Sequence, residues 1–127
     1  MIAADSSSFI AHLSGDQGED VEILDQALSD HLVMLPPVVL VELLSDPKLP
    51  SSVSDLLKAL PLLETTDGYW ERAGALRAKA LSRSRKARLA DTLIAQSCLD
   101  HDVPLIARDR DFRIFAAFAG LKLLPPH

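Results

Sequence analysis

Apolar positions recur along this chain with two different periods, and the alternation of the two outlines its elements. Residues 1–4 form a short apolar run that reads as a buried strand, and a helix follows it through His12, with Ser6 or Ser7 placed to cap it. Gly15 and Gly18 mark a loop. Residues 19–29 carry Val21, Ile23, Leu24 and Leu28 at helical spacing, with acidic residues filling the outer face. Residues 32–35 read as a second strand. Pro36-Pro37 ends it and opens a helix from Val38 to about residue 45, because proline is tolerated in a first helical turn. Asp46-Pro47 closes that helix, since the residue before proline is pushed out of helical geometry. Another short helix is expected over 51–60, capped by Ser51 or Ser52, and a short strand over 62–64.

Asp67 is positioned to cap a longer helix from Gly68 towards Leu81, with Trp70, Ala73, Leu76 and Leu81 broadly on one face. Tyr69 and Trp70 read as core or dimer-interface residues because they fall inside that amphipathic stretch. Residues 82–88 are polar and basic, and read as a loop or a frayed helix end. A strong helical pattern occupies 91–99, a strand 105–107, a helix begins at Asp111-Phe112 and reaches about residue 118, and a last strand covers 122–124. Strands alternating with helices imply an α/β fold whose parallel sheet is covered on both faces. Ligands of such sheets bind beyond the carboxyl ends of the strands.

Composition bounds the class. Hydrophobic residues make up 48% and charged residues 24% of 127, enough for a real core in one domain spanning 1–127. No apolar run approaches the roughly 20 residues of a membrane span, and the first residues lack the pattern of a secretory signal. The single cysteine, Cys98, lies on an apolar helical stretch and reads as a small core residue. A cytoplasmic protein is expected. There is no Gly-rich phosphate loop, no Ser–His–Asp set and no cysteine metal cluster, and His12, His31, His101 and His127 show no metal-like spacing.

The net charge of −5 argues against a simple basic nucleic-acid binder, but its distribution is uneven. From Arg72 to Arg113, ten Lys or Arg stand against five Asp or Glu, a balance of +5. The remainder holds three against thirteen, or −10. The basic half fits either a polyanion-binding face or a solvated helix face without a partner.

Four acidic residues interrupt apolar or helix-opening segments. Asp5 ends Met1-Ile2-Ala3-Ala4-Asp5, and Glu42 breaks Val38-Val39-Leu40-Val41-Glu42-Leu43-Leu44. Asp91 opens Asp91-Thr92-Leu93-Ile94-Ala95, and Asp109 follows Val103-Pro104-Leu105-Ile106-Ala107-Arg108. An unpaired buried carboxylate costs several kcal/mol or is driven neutral, so such groups are normally paired or hold a cation. Asp5 and Asp109 each lie just past a strand's carboxyl end, Asp91 at a helix start, and Glu42 one turn into its helix within reach of the same rim. Carboxylate oxygens suit Mg²⁺ and Mn²⁺, which can orient a phosphodiester and activate water.

The segments Ile2-Ala3-Ala4-Asp5-Ser6-Ser7, Val41-Glu42-Leu43, Ala90-Asp91-Thr92-Leu93-Ile94-Ala95 and Leu105-Ile106-Ala107-Arg108-Asp109-Arg110-Asp111-Phe112 are each weak matches alone. In this order and spacing they make the chain resemble, over nearly its whole length, a PIN-domain ribonuclease of the small VapC type, the toxins of bacterial toxin–antitoxin pairs. The resemblance implies a three-layer α/β/α fold with a mostly parallel sheet of about five strands. It further implies an acidic Mg²⁺ or Mn²⁺ site, cleavage of single-stranded or loop RNA, a homodimer, and silencing by a VapB-like antitoxin that masks the acids. Carried over by position, Asp5, Glu42, Asp91 and Asp109 are the catalytic, metal-holding acids, and Asp111 the additional acid two residues on. Ser6 or Ser7 takes the place of the hydroxyl that hydrogen-bonds a carboxylate or a metal water. Two departures stand out: Ala107 replaces the usual threonine before the fourth acid, and the loop before Asp91 lacks the usual glycine.

Each residue also has a plainer use. Asp5 and Asp91 can be helix N-caps, Glu42 a solvated helix residue, and Asp109 with Asp111 a turn before Phe112. Asp111 stays open between ligand, water holder and cap. Arg83, Arg85, Lys86 and Arg88, with Arg108 and Arg110, are candidate RNA contacts. The basic run fits equally a solvated patch or one neutralised by an acidic partner. The leading expectation is a metal-dependent endoribonuclease toxin. A housekeeping RNA-processing or DNA-trimming nuclease of the same fold is the first alternative. A non-catalytic interaction or phospho-receiver domain is the second, and it leaves Glu42, Asp91 and Asp109 unexplained and lacks a suitable lysine.

Overall fold

The computed structural model describes residues 1–83 and 85–126. Ser84 of the expected basic loop and His127 lie outside the described residues. Four strands, β1 (Ile2–Ala4), β2 (Val33–Met34), β3 (Leu105–Ile106) and β4 (Leu123–Leu124), pair in the order β2-β1-β3-β4, and every pairing is parallel. Helices α1 (Ser6–Leu13), α2 (Glu19–Ser29), α3 (Pro37–Leu44), α4 (Ser51–Ala59), α5 (Tyr69–Ser82), α6 (Leu89–His101) and α7 (Arg113–Ala119) cover the sheet, and a short 3₁₀ turn, Arg110–Phe112, precedes α7. This is the three-layer α/β/α arrangement. Ala3, Ala4, Leu105 and Ile106 are completely buried, as central parallel strands require when both faces are covered.

Among the described residues the sheet has four strands where about five were expected. The segment 62–64 contributes only a parallel bridge, Leu35 with Leu62, closed by Leu35 N–H to the Pro61 carbonyl at 2.9 Å and Leu63 N–H to the Leu35 carbonyl at 2.8 Å. Pro36 and Pro61 flank that bridge, and neither has an N–H to extend the ladder. The core runs through Phe112, Phe115, Leu24, Leu63 and Ile94, with Cys98 buried among them. Among the described residues, no helix is long and apolar enough to cross a membrane.

Several expected caps are not used. Pro50, not Ser51 or Ser52, holds the N-cap position of α4, and Asp5 rather than Ser6 or Ser7 holds that of α1. Gly68 caps α5 in place of Asp67, with φ +83°, and Arg72 Nη1 reaches across it to the Asp67 carbonyl at 2.8 Å. That left-handed φ strains any residue with a Cβ, and a Cβ here would also lie 2.7 Å from the Arg72 nitrogen and push it away, so glycine suits this position.

The buried face of α5 is Tyr69, Ala73, Leu76 and Ala80, whereas Trp70 is 65% exposed and Leu81 also faces out. Tyr69 therefore takes the core place. Its hydroxyl donates to the Leu93 carbonyl at 2.7 Å, tying α5 to α6. A two-pronged Arg72–Asp100 pair makes a second tie between them, at 2.9 and 2.7 Å. Tyr69→Phe should cost about 1 kcal/mol, the usual net value of one such bond. Urea unfolding of the two proteins checks it, and equal midpoints would remove the bond from the account.

Candidate metal centre

Asp5 is fixed at the carboxyl end of β1 because the ladder continues through it: its N–H donates to the Ile106 carbonyl at 2.9 Å. The side chain is 4% exposed. Ser7 Oγ donates to Asp5 Oδ2, and Ser6 Oγ lies 3.4 Å from Asp5 Oδ1 and 3.1 Å from Glu42 Oε1, so its proton can serve either carboxylate. Glu42 is exposed in spite of its apolar neighbours. Helix α3 sinks only Val39 and Leu43 fully into the core, and its opposite side is open.

Asp91 sits in the first turn of α6 and Asp109 at the start of the 3₁₀ turn, where its Oδ1 accepts the Asp111 N–H at 2.9 Å. Asp91, Asp109 and Asp111 each bring one oxygen to within 4.8 Å of the others. The tightest group thus includes Asp111, with Asp5 and Glu42 beside it. Asp91 Oδ2 is buried and, among the described residues, is the one buried side-chain polar atom without a hydrogen-bond partner.

The charges of these groups act on one another. Burial pushes the Asp5 carboxyl up from its ordinary value. The Ser7 hydrogen bond opposes that rise, and the charges of Glu42 and Asp109 add to it. Asp91 is pushed up to about 6, by burial first and then by Asp109 and Asp5, with Arg88 partly offsetting. An orphaned oxygen among mutually repelling carboxylates is a costly arrangement for a folded protein. A hard divalent cation would relieve it, and the all-oxygen donor set fits one.

The basic residues divide into different jobs. Arg108 is turned away from the acids and paired with Asp20 at 3.0 Å, so it is not a free RNA-binding cation. Lys86 Nζ and Arg88 Nε lie 3.7 and 3.9 Å from Asp111 Oδ2. Arg77 Nε donates to the Ala87 carbonyl at 2.9 Å and holds the basic loop against α5. Arg83, Arg85, Lys86, Arg110 and Arg113 line an open cleft of about 530 Å³ that begins at Asp111 and is floored by Ile114 and Phe118. Lys79 and Arg83 approach the Phe118 ring at 5.3 and 4.8 Å. Arg113 and Phe118 were missed in the sequence, although Arg113 follows Arg110 at the three-residue spacing that brings side chains to one face.

A second cleft, of about 470 Å³, is apolar. Ile10, Leu13, Leu43, Leu49 and Val53 line it, and Glu42 and Asp46 stand on its rim. Glu42 therefore borders both the acidic group and this groove. In neighbouring α4, Leu56 is exposed while Leu57 is buried, so of these two only Leu56 is open to a partner.

A family model described as PIN domain matches residues 2–117. Among solved structures, the chain resembles one of VapBC2 from Rickettsia felis bound to a DNA fragment from their promoter. They share 18% identity and a TM-score of 0.75, over 97% of each chain. It also resembles a VapBC-family toxin–antitoxin structure, VapBC-5 from Mycobacterium tuberculosis, at 21% identity and a TM-score of 0.57, over 72% of this chain and 79% of that one. At such identities the likeness is one of fold. No curated protein matches the chain by sequence.

Proposed function

The chain belongs to the PIN domain family, and from that premise we propose that it is the toxin of a VapBC-type pair, a Mg²⁺- or Mn²⁺-dependent endoribonuclease. The observation that carries this reading is the orphaned Asp91 Oδ2 within a three-carboxylate cluster beside buried Asp5, at the carboxyl edge of the sheet. Asp5, Glu42, Asp91 and Asp109 would hold the cation, with Asp111 as a further ligand or as the holder of a water. When bound, the cation supplies positive charge to the scissile phosphate and lowers the pKa of an attacking water. Ser6 and Ser7 hold Asp5 in orientation through their hydroxyls. Attack at phosphorus by water would leave a 5′-phosphate and a 3′-hydroxyl.

Arg85, Arg110 and Arg113 line the cleft that opens at Asp111, which supports running the RNA strand along it with these residues on the phosphates flanking the cut. Replacing all three by Gln should raise KM for RNA with little change in kcat. It should also flatten the salt dependence of binding by about 0.7 in log–log slope for each phosphate of a single strand that is no longer neutralised. An unchanged slope would take these residues out of the RNA path.

The apolar groove beside Glu42 suits a segment of a VapB-like antitoxin that lays apolar side chains on Ile10, Leu13 and Val53 and a basic side chain on Glu42 and Asp46. A homodimer is part of the same reading, with exposed Trp70 and Leu81 on α5 as its apolar candidates, and so is action in the cytoplasm. The test is incubation of total cellular RNA with purified protein, with Mg²⁺ or Mn²⁺ and with EDTA, beside Asp5→Asn. Discrete fragments that need both the metal and Asp5 are expected. Intact RNA after exposure to folded, partner-free protein would move the weight to a binding role.

A further inference from the structure

Asp5 and Asp109 lie just beyond the carboxyl ends of the paired strands β1 and β3, and a hydrogen-bonded chain outside the acidic cluster ties their supports together. Ser8, three residues beyond Asp5 on α1, donates from Oγ to Asp20 Oδ2 at 2.9 Å. Asp20 is buried in the first turn of α2. Its two oxygens receive both prongs of Arg108, Nε at 3.0 Å and Nη2 at 3.1 Å, and Nη2 also donates to the Gln17 carbonyl at 2.8 Å. Arg108 immediately precedes Asp109. Burial opposes ionisation of Asp20, but the Arg108 and Ser8 hydrogen bonds outweigh it and hold the carboxyl below its ordinary range. The pair is therefore ionised at neutral pH, and a two-pronged arginine–carboxylate contact fixes orientation as well as distance.

Gly18 is an independent sign that the structure is built around this contact. A Cβ there would stand 2.5 Å from Arg108 Nη2 and 2.6 Å from Asp20 Oδ1. Both atoms are the ends of side chains, so a methyl group at 18 would displace the pair, and at φ +155° it would strain the backbone as well.

We propose that Arg108, clamped by Asp20 and Ser8, is a positioning residue that sets the separation of Asp5 from Asp109 for divalent-cation binding. This rests on the metal-site reading given above. Ionised carboxylates repel one another, and a clamp that fixes the residue before Asp109 keeps them from spreading when no cation is present. Arg108 spends three of its N–H donors inside the protein and acts through Asp109 without touching the substrate.

The test is a Mn²⁺ titration followed by electron paramagnetic resonance on wild type, Arg108→Gln, Arg108→Lys and Gly18→Ala, with RNA cleavage kinetics alongside. Arg108→Gln and Gly18→Ala should each weaken Mn²⁺ binding by roughly 10–100-fold, the usual loss when a partner behind a metal ligand goes. Their kcat should fall while KM for RNA holds. Arg108→Lys keeps the charge with one prong and should recover part of the affinity. Should Arg108→Gln fold poorly, Gly18→Ala and Arg108→Lys decide together, because the first leaves every charge in place and the second leaves the backbone at 18 untouched. Wild-type Mn²⁺ binding that neither variant alters overturns the clamp alone, as does a raised KM or a lowered melting temperature with unchanged affinity. A wild type that binds no Mn²⁺ overturns the metal-site reading and the clamp with it.

Discussion

Asp5→Asn should abolish RNA cleavage and, in metal-free buffer, raise the melting temperature. The two effects have one cause. Asp5 is almost wholly buried, and its carboxyl is pushed up by burial, with Ser7 opposing and Glu42 and Asp109 adding to the rise. A folded-state pKa above the unfolded one means that the ionised carboxylate at neutral pH works against folding. Asparagine keeps the shape and an oxygen for the Ser7 hydroxyl, and removes the charge that repels Glu42 and Asp109. The same loss of charge leaves a poor ligand for a divalent cation. Activity should fall by more than the roughly 10–100-fold that loss of an outer partner costs. With saturating Mn²⁺ the ranking of stabilities should invert, because wild type gains binding free energy that the variant lacks. Thermal melts with and without Mn²⁺, run beside the cleavage assay, check both halves. Retained cleavage, or a lower metal-free melting temperature with lost near-ultraviolet dichroism, would sink the assignment.

What the sequence made legible follows from which forces are local. The parallel sheet was readable because its strands are short apolar runs between amphipathic helices, and the position of Asp5 follows once residues 2–4 are a strand. The helix caps were less readable. Ser51 and Asp67 have the right chemistry, but Pro50 and Gly68 adopt the backbone angles that start the helices. The choice between Tyr69 and Trp70 turned on one residue of helical rotation, and the Leu93 carbonyl that satisfies the tyrosine hydroxyl lies on another helix. The apolar neighbours of Glu42 left its exposure open, and Val41 beside it proves to be exposed too.

Within the site, the acids were legible by order and spacing, and the closeness of Asp111 to Asp109 by their two-residue separation across a turn. The partner of Arg108 was not legible for a physical reason. A cation next to a catalytic candidate looks like a phosphate contact until the fold supplies a carboxylate from 88 positions away, and only tertiary structure brings Asp20 there. The basic loop was half legible: its charge could be counted, but its attachment to Asp111 and its continuation into Arg113 depend on how α7 packs.

Metal-free protein should lose stability as pH rises from 3.8 to about 6, and Asp91→Asn should remove much of that slope. The Asp91 carboxyl is pushed up to about 6 by burial first, and then by Asp109 and Asp5. In this window the folded state keeps a proton that the unfolded state has lost, so stability declines with pH and levels off above about 6. Asp5 contributes in the same sense. Asp20 and Asp100 are lowered, so the stability they supply is lost only at pH values below the window. A cation reverses the direction, because binding requires the carboxylate and expels the proton. Apparent Mn²⁺ affinity should therefore fall by about tenfold per pH unit below the Asp91 pKa when one proton is released. Urea midpoints at stepped pH, with calorimetric Mn²⁺ titrations in two buffers of different ionisation enthalpy, measure slope and proton release separately. Parallel pH profiles for wild type and Asp91→Asn, with no proton released on Mn²⁺ binding, would mean that the orphaned oxygen is not where the cation sits.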